Sequence, residues 1–241
     1  MLVQKRPDSL WLITQIDHAL LSGELCHNWW GLDKEAQPMH FGLQLAATLH
    51  DLPWLDADQA PTWNPDTKRP YSFLDYPMAE RQRIYEEGLQ RLEKIDPYVA
   101  LLVSHHYINK SPSEAESDRR IRLRRQLGIE EGDKTLARHI DYLRLFDNLS
   151  LYICLAPPTA EVDDLPPWMN PAVWARTPKG TEFTPRWWSD EKITFVKNPF
   201  SQQFETTLRV HVLGKTRFES EAELSEAWEN AETFQWKLAI G

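Results

Sequence analysis

Apolar residues recur at helical spacing through the first two thirds of the chain and at alternate positions near its end. Leu10, Ile13, Ile16, Leu20 and Leu21 fall on one face of a first helix, which Ser9 is placed to cap and whose end lies near Gly23. Phe41, Leu45, Ala46 and Leu49 mark a second helix over residues 39–51, which stops before Pro53. The same period predicts helices over 78–94, 97–108, 113–127 and 133–154. Residues 52–77 break the pattern with Pro53, Pro61, Pro65, Pro70 and Pro77 among Trp54, Trp63, Tyr71 and Phe73. A loop that long is commonly functional when it is ordered, and its aromatic residues predict order.

The pattern changes after residue 156. Pro157, Pro158, Pro166, Pro167 and Pro171 read as a linker. Segments 192–197, 208–213 and 234–240 alternate as antiparallel strands do, and 221–228 reads as a short helix between them. The expected organisation is a helical domain over 1–156, followed by a Pro-rich linker and β-rich region over 157–241. That tail is too small for a core of its own, so it should pack on the helices. The expected fold class is mainly α: a helical bundle with a small antiparallel β-rich C-terminal appendage.

Composition narrows the function classes. A formal net charge of −9 argues against nucleic-acid binding through overall charge, though a small phosphorylated substrate needs only a local cation. Two cysteines, Cys26 and Cys154, cannot make a disulfide framework and fit a reducing compartment. Charges break the N-terminal segment every few residues, and no stretch approaches the roughly 18 apolar residues that span a bilayer. A cytoplasmic protein with no membrane partner is expected. Glycine-rich phosphate loops, CxxC pairs and a GxSxG elbow are all missing from the sequence.

The candidate chemistry lies in histidines and aspartates at helix ends and inside apolar runs. His18 sits in QIDHALLSG, His50–Asp51 close the second helix, and His105–His106 close YVALLVS. Asp147 interrupts YLRLFDNLSLYI, where a carboxylate is costly unless it is paired or ligates a cation. Imidazole and carboxylate converging from separate helices suit a catalytic divalent metal. His139 reads as structural, and His27, His40 and His211 as surface or packing residues. The run of Arg119, Arg120, Arg122, Arg124 and Arg125 reads as a salt-bridged helix face among glutamates. Lys68 and Arg69 are the better candidates for holding a phosphate, while Trp54, Trp63 and Tyr71 either cover a planar substrate or fill the core.

The order His18, His50–Asp51 and distal Asp147 resembles the signature of the HD-domain metal-dependent phosphohydrolases. Together with HDLPW, PTWNPDTKRPYSF, LLVSHH and FDNLSLYIC, the chain is similar along nearly its whole length to an uncharacterised bacterial family assigned to that superfamily. The resemblance implies an all-helical, HD-like domain with His18, His50, Asp51 and Asp147 as ligands. One of His105 and His106 would join them, with His106 favoured. One or two divalent ions are implied (manganese, iron, zinc, magnesium or nickel), with Asp51 the bridge if there are two. The expected activity is hydrolysis of a phosphomonoester or phosphodiester by metal-activated water, with Asp51, Lys68 and Arg69 as catalytic residues. The substrate would be small and phosphorylated or planar, and a homodimer is the assembly considered. Two alternatives stand beside it: a non-catalytic, metal-stabilised ligand-binding module, and a di-iron oxygenase on the same scaffold.

Overall fold

Thr14, not Ser9, starts the first helix: its side chain accepts from the Asp17 amide at 2.9 Å. The residues before it alternate in burial as a strand does. Leu10 and Leu12 face one cluster while Ile13 faces another, and Trp11 meets Phe234 and Trp236 edge to face. The N-terminal segment is therefore a hairpin, β1 (Leu2–Lys5) and β2 (Leu10–Ile13), leading into α1 (Gln15–Asn28). The computed structural model describes residues 1–30, 41–107, 112–159 and 165–241.

Helices α2 (Phe41–Leu49), α3 (Met78–Ile95), α4 (Pro97–Tyr107), α5 (Glu114–Leu127) and α6 (Lys134–Leu155) follow. The predicted end of α4, at residue 108, lies outside the described residues. Residues 52–77 begin with a 3₁₀ turn (Leu52–Trp54) and contain a two-residue hairpin, β3 (Trp63–Asn64) with β4 (Arg69–Pro70). The C-terminal part holds the short helix α7 (Pro171–Trp174), β5 (Thr184–Ser189), β6 (Lys192–Val196), β7 (Phe204–Leu213), α8 (Glu221–Glu229) and β8 (Glu232–Ile240).

These strands do not form a small appendage. They join the N-terminal hairpin in one curled six-stranded sheet of order β1-β2-β7-β8-β6-β5, in which β6 and β8 run parallel and the other pairs antiparallel. The protein is 47% helical and 21% strand, so the expected mainly-α class is corrected to mixed α/β. The physical reason is long-range pairing. Leu10 lies opposite Leu213, and one apolar cluster takes Leu21, Leu43, Leu102 and Phe146 from helices together with Leu208, Trp236 and Ile240 from the sheet. A second, smaller cluster lies under α8, where Leu10, Leu12, Leu213, Phe218 and Leu224 meet.

Two glycines set the packing that positions the site. A Cβ on Gly23 would stand 2.1 Å from Thr48 Oγ1, so its absence lets α1 and α2 pack closely and brings His18 toward His50. A Cβ on Gly88 would stand 2.2 Å from the Pro53 ring, so α3 presses directly on the turn after Asp51. No helix among the described residues is long and apolar enough to cross a membrane.

Candidate metal centre

Four elements bring polar side chains into the apolar interior. His18 comes from the first turn of α1, His50 and Asp51 from the turn that follows α2, His106 from the end of α4 and Asp147 from the interior of α6. His18, His50 and Asp51 are each at most 5% exposed. His18 Nε2 lies 3.0 Å from Asp147 Oδ1, 3.2 Å from His50 Nε2 and 3.4 Å from Asp51 Oδ2. His50 Nε2 lies 3.2 Å from Asp147 Oδ1 and 3.5 Å from Asp51 Oδ2. Ligands about 2.1 Å from one cation stand about 3.0 Å apart in an octahedron and about 3.4 Å apart in a tetrahedron. The His–His and His–carboxylate spacings found, 3.0–3.5 Å, fall in that range.

The hydrogen bonds behind the imidazoles set their tautomers. His50 Nδ1 lies 2.8 Å from the Ala47 carbonyl, which can only accept, so Nδ1 carries the proton. Ser150 Oγ donates to the Asp147 carbonyl at 2.9 Å, so it accepts from His18 Nδ1 at 2.9 Å. Both Nε2 atoms then turn lone pairs toward each other and toward two carboxylates. Such a set repels itself unless a cation or added protons occupy its centre. Burial opposes charge on His18, but hydrogen bonds that its protonated ring donates to Asp147 and Asp51 outweigh it and raise its pKa well above the ordinary value. Burial likewise opposes charge on Asp147, yet the surrounding His106, His18 and His50 hold it well below the usual carboxylate range. The donor set thus fits a divalent ion, with outer-shell partners of the kind that orient metal-bound histidines.

His106 completes the cluster from the other side. Its Nε2 lies 3.6 Å from Asp147 Oδ2, the oxygen that does not face His18 and His50. His50, His106 and Asp147 also have ligand atoms within 4.8 Å of one another. Asp147 thus turns Oδ1 toward His18 and His50 and Oδ2 toward His106, while Asp51 groups with His18 and His50. His105 points elsewhere: burial and the nearby Arg120, Arg124 and Arg144 push its pKa down to about 4. Arg120 and Arg144 donate to the carbonyls of Ser104 and His105, pinning the end of α4 that carries His106.

A cavity of about 150 Å³ opens beside the cluster, with His18, Asp51, His106 and Asp147 in its wall. Trp54, Phe73, Tyr85 and Tyr107 supply aromatic surface to the same cavity. Tyr107 bonds both the His50 carbonyl and, at 3.1 Å, Asp51 Oδ1, and Tyr85 stacks on it at 4.1 Å. Lys68 and Arg69 do not line the cavity. Lys68 pairs with Glu219 across the outer hairpin, and Arg69 sits on β4 opposite Asn64. Trp63 bonds the Phe218 carbonyl and packs on the smaller core cluster rather than over the site.

The remaining histidines have other partners. His139 Nδ1 meets Tyr98 Oη at 2.5 Å, His27 meets Gln44 and His211 meets Thr233, while His40 lies outside the described residues. Arg119, Arg120 and Arg122 pair with Glu86, Glu93 and Glu116. Ser150, Tyr85, Tyr107 and Gln15 were not singled out from the sequence. Ser150 had a signal in its i+3 spacing from Asp147, and Tyr107 in its place beside the histidine pair.

No curated protein and no solved structure matches the chain. The family model that matches, over residues 1–215, is described as a protein of unknown function, DUF3891. That match and the large curled sheet overturn the HD-domain resemblance, which implied an all-helical domain. The chain belongs to the DUF3891 family.

Proposed function

We propose that this protein is a metal-dependent hydrolase of phosphate esters, with a divalent cation held by His18, His50, Asp51 and Asp147. The observation that carries the reading is the convergence of two imidazole Nε2 atoms and two carboxylates at 3.0–3.5 Å beside a cavity that can admit a substrate group. A bound cation would supply Lewis acidity for the phosphoryl oxygen and acidify a nearby water. The chain's own contribution is to fix the ligand geometry, to keep both Nδ1 protons committed elsewhere, and to wall the reaction with Trp54, Phe73 and Tyr107. In the net reaction the water oxygen bonds phosphorus and the ester P–O bond breaks. One water proton ends on the departing oxygen.

A second reading, a non-catalytic metal-stabilised binding module, is favoured by one observation. No lysine or arginine among the described residues lines the cavity, so the phosphoryl charge would fall to the cation alone. The test is elemental analysis of the purified protein, with a panel of phosphate monoesters and diesters under manganese, iron, zinc, magnesium and nickel. Asp51→Asn and Asp147→Asn are run beside the wild type. Each variant should lose bound metal and turnover together while keeping its far-UV circular dichroism. Turnover that survives both substitutions would sink the mechanism, and bound metal without turnover of any ester would select the binding module.

A further inference from the structure

Gln15 is the first residue of α1 and is 3% exposed. Its backbone amide is fixed by Asp58 Oδ2 at 2.5 Å, and the Asp58 amide in turn bonds the Trp54 carbonyl at 2.9 Å. Gln15 is therefore tied to the same turn that presents Asp51. Its side chain lines the cavity beside the His and Asp cluster, yet its Oε1 is buried with no hydrogen-bond partner in the protein. Buried amide oxygens are rarely left so, because stripping one of water without a replacement is costly.

His106 is the other cavity-lining side chain with such an atom. Its unpartnered Nδ1 belongs to a ring whose Nε2 already faces Asp147. Gln15 is left with no task among the ligands and none in the core. A cavity of about 150 Å³ holds only a handful of waters, so a group in it that reaches the cation is close to Gln15 as well.

On the hydrolytic reading above, we propose that Gln15 holds the attacking water, its amide oxygen accepting one of the water's hydrogens. An amide oxygen is too weak a base to take that proton. Its work is orientation: with one hydrogen anchored, a lone pair on the water is free to point at phosphorus. Glutamine serves phosphoryl transfer in this way where a water must be aimed rather than deprotonated. The neighbouring carboxylates are engaged by His18, His50 and Tyr107, which leaves orientation to Gln15.

The variants are Gln15→Met, which keeps volume and loses the acceptor, and Gln15→Glu, which keeps an acceptor and loses the donor. Gln15→Met should lower kcat on p-nitrophenyl phosphate by about 10–100-fold, with KM, bound metal and Tm near wild type. Gln15→Glu should recover most of that loss. A Gln15→Met enzyme within threefold of wild type overturns the assignment, and so does a Gln15→Glu enzyme as impaired as Gln15→Met.

A second measurement needs no turnover. In the Co²⁺-loaded protein the visible spectrum follows ionisation of coordinated solvent. An acceptor holds the hydrogens of water more strongly than that of hydroxide, so Gln15→Met should lower the pH midpoint and Gln15→Glu should raise it. An unmoved midpoint in both variants also overturns the assignment. Shifted midpoints in a protein that hydrolyses no ester would keep Gln15 on the water and reject the hydrolase reading instead.

Discussion

Ser150 gives its proton to the Asp147 carbonyl and takes one from His18, so a single hydroxyl sets both the orientation and the tautomer of a proposed ligand. Outer-shell partners of this kind are worth about 10–100-fold in metal affinity. Ser150→Ala should weaken binding by that factor, read by competition with a chromogenic chelator, and an unchanged affinity would remove Ser150 from the metal centre. His105 allows a pH test. Its folded pKa of about 4 lies below the ordinary imidazole value of 6.5, so the unfolded chain takes up a proton between these limits that the folded chain refuses. Stability should therefore fall as pH drops from about 6.5 to about 4, and His105→Gln should flatten that limb in urea titrations. The residues now seen together were legible in part, because a carboxylate inside YLRLFDNLSLYI and histidines at helix ends are costly unless they serve something. Lys68 and Arg69 follow the His50–Asp51 pair in sequence, but nearness along the chain says little across a folded loop: Lys68 pairs with Glu219 and Arg69 lies opposite Asn64.

Between elements, close approach replaces side-chain interlock at two points. Gly23 faces Thr48, and Gly88 faces Pro53, with no room for a methyl group at either. Gly23→Ala should cost about 1–3 kcal/mol by overpacking and should weaken metal binding too, since it forces α1 from α2 and His18 from His50. Gly214→Ala, where a Cβ meets nothing within 4 Å, is the control and should stay within about 0.5 kcal/mol. Equal effects of the two in denaturant titrations would refute the packing argument. The long helices announced themselves through sustained 3.6-residue periodicity, and Ser113 and Asp133, which cap two of them, stand where the expected spans begin. β2 did not, because four residues, LWLI, fit a helix as readily as a strand. β5 hid behind Pro185 and two adjacent tryptophans, which show no clean alternation.

At the scale of the molecule, the candidate centre ties α1, α2, α4 and α6 together at one point, so an ion there should stabilise the whole fold. At a hundred times its dissociation constant a bound ion adds about 2.7 kcal/mol, or roughly 5–10 °C in Tm for a chain of this size. Differential scanning calorimetry with and without chelator would read it, and a Tm indifferent to every divalent ion would count against a site at this position. No local pattern could have shown the sheet as a whole, because its joint is the pairing of β2 with β7, about two hundred residues apart. That joint also orders events in time. The strand just before α1 has no neighbour but β1 until residues 204–213 have been synthesised, while the helices can associate much sooner. Closing so large a loop is slow relative to forming local helices. The nascent chain thus passes through a stage with its helices largely in place and α1 not yet anchored by the sheet. At that stage His18 is held toward His50 by the close packing of α1 on α2, so an ion at the proposed centre would meet its ligands before the sheet had closed behind α1.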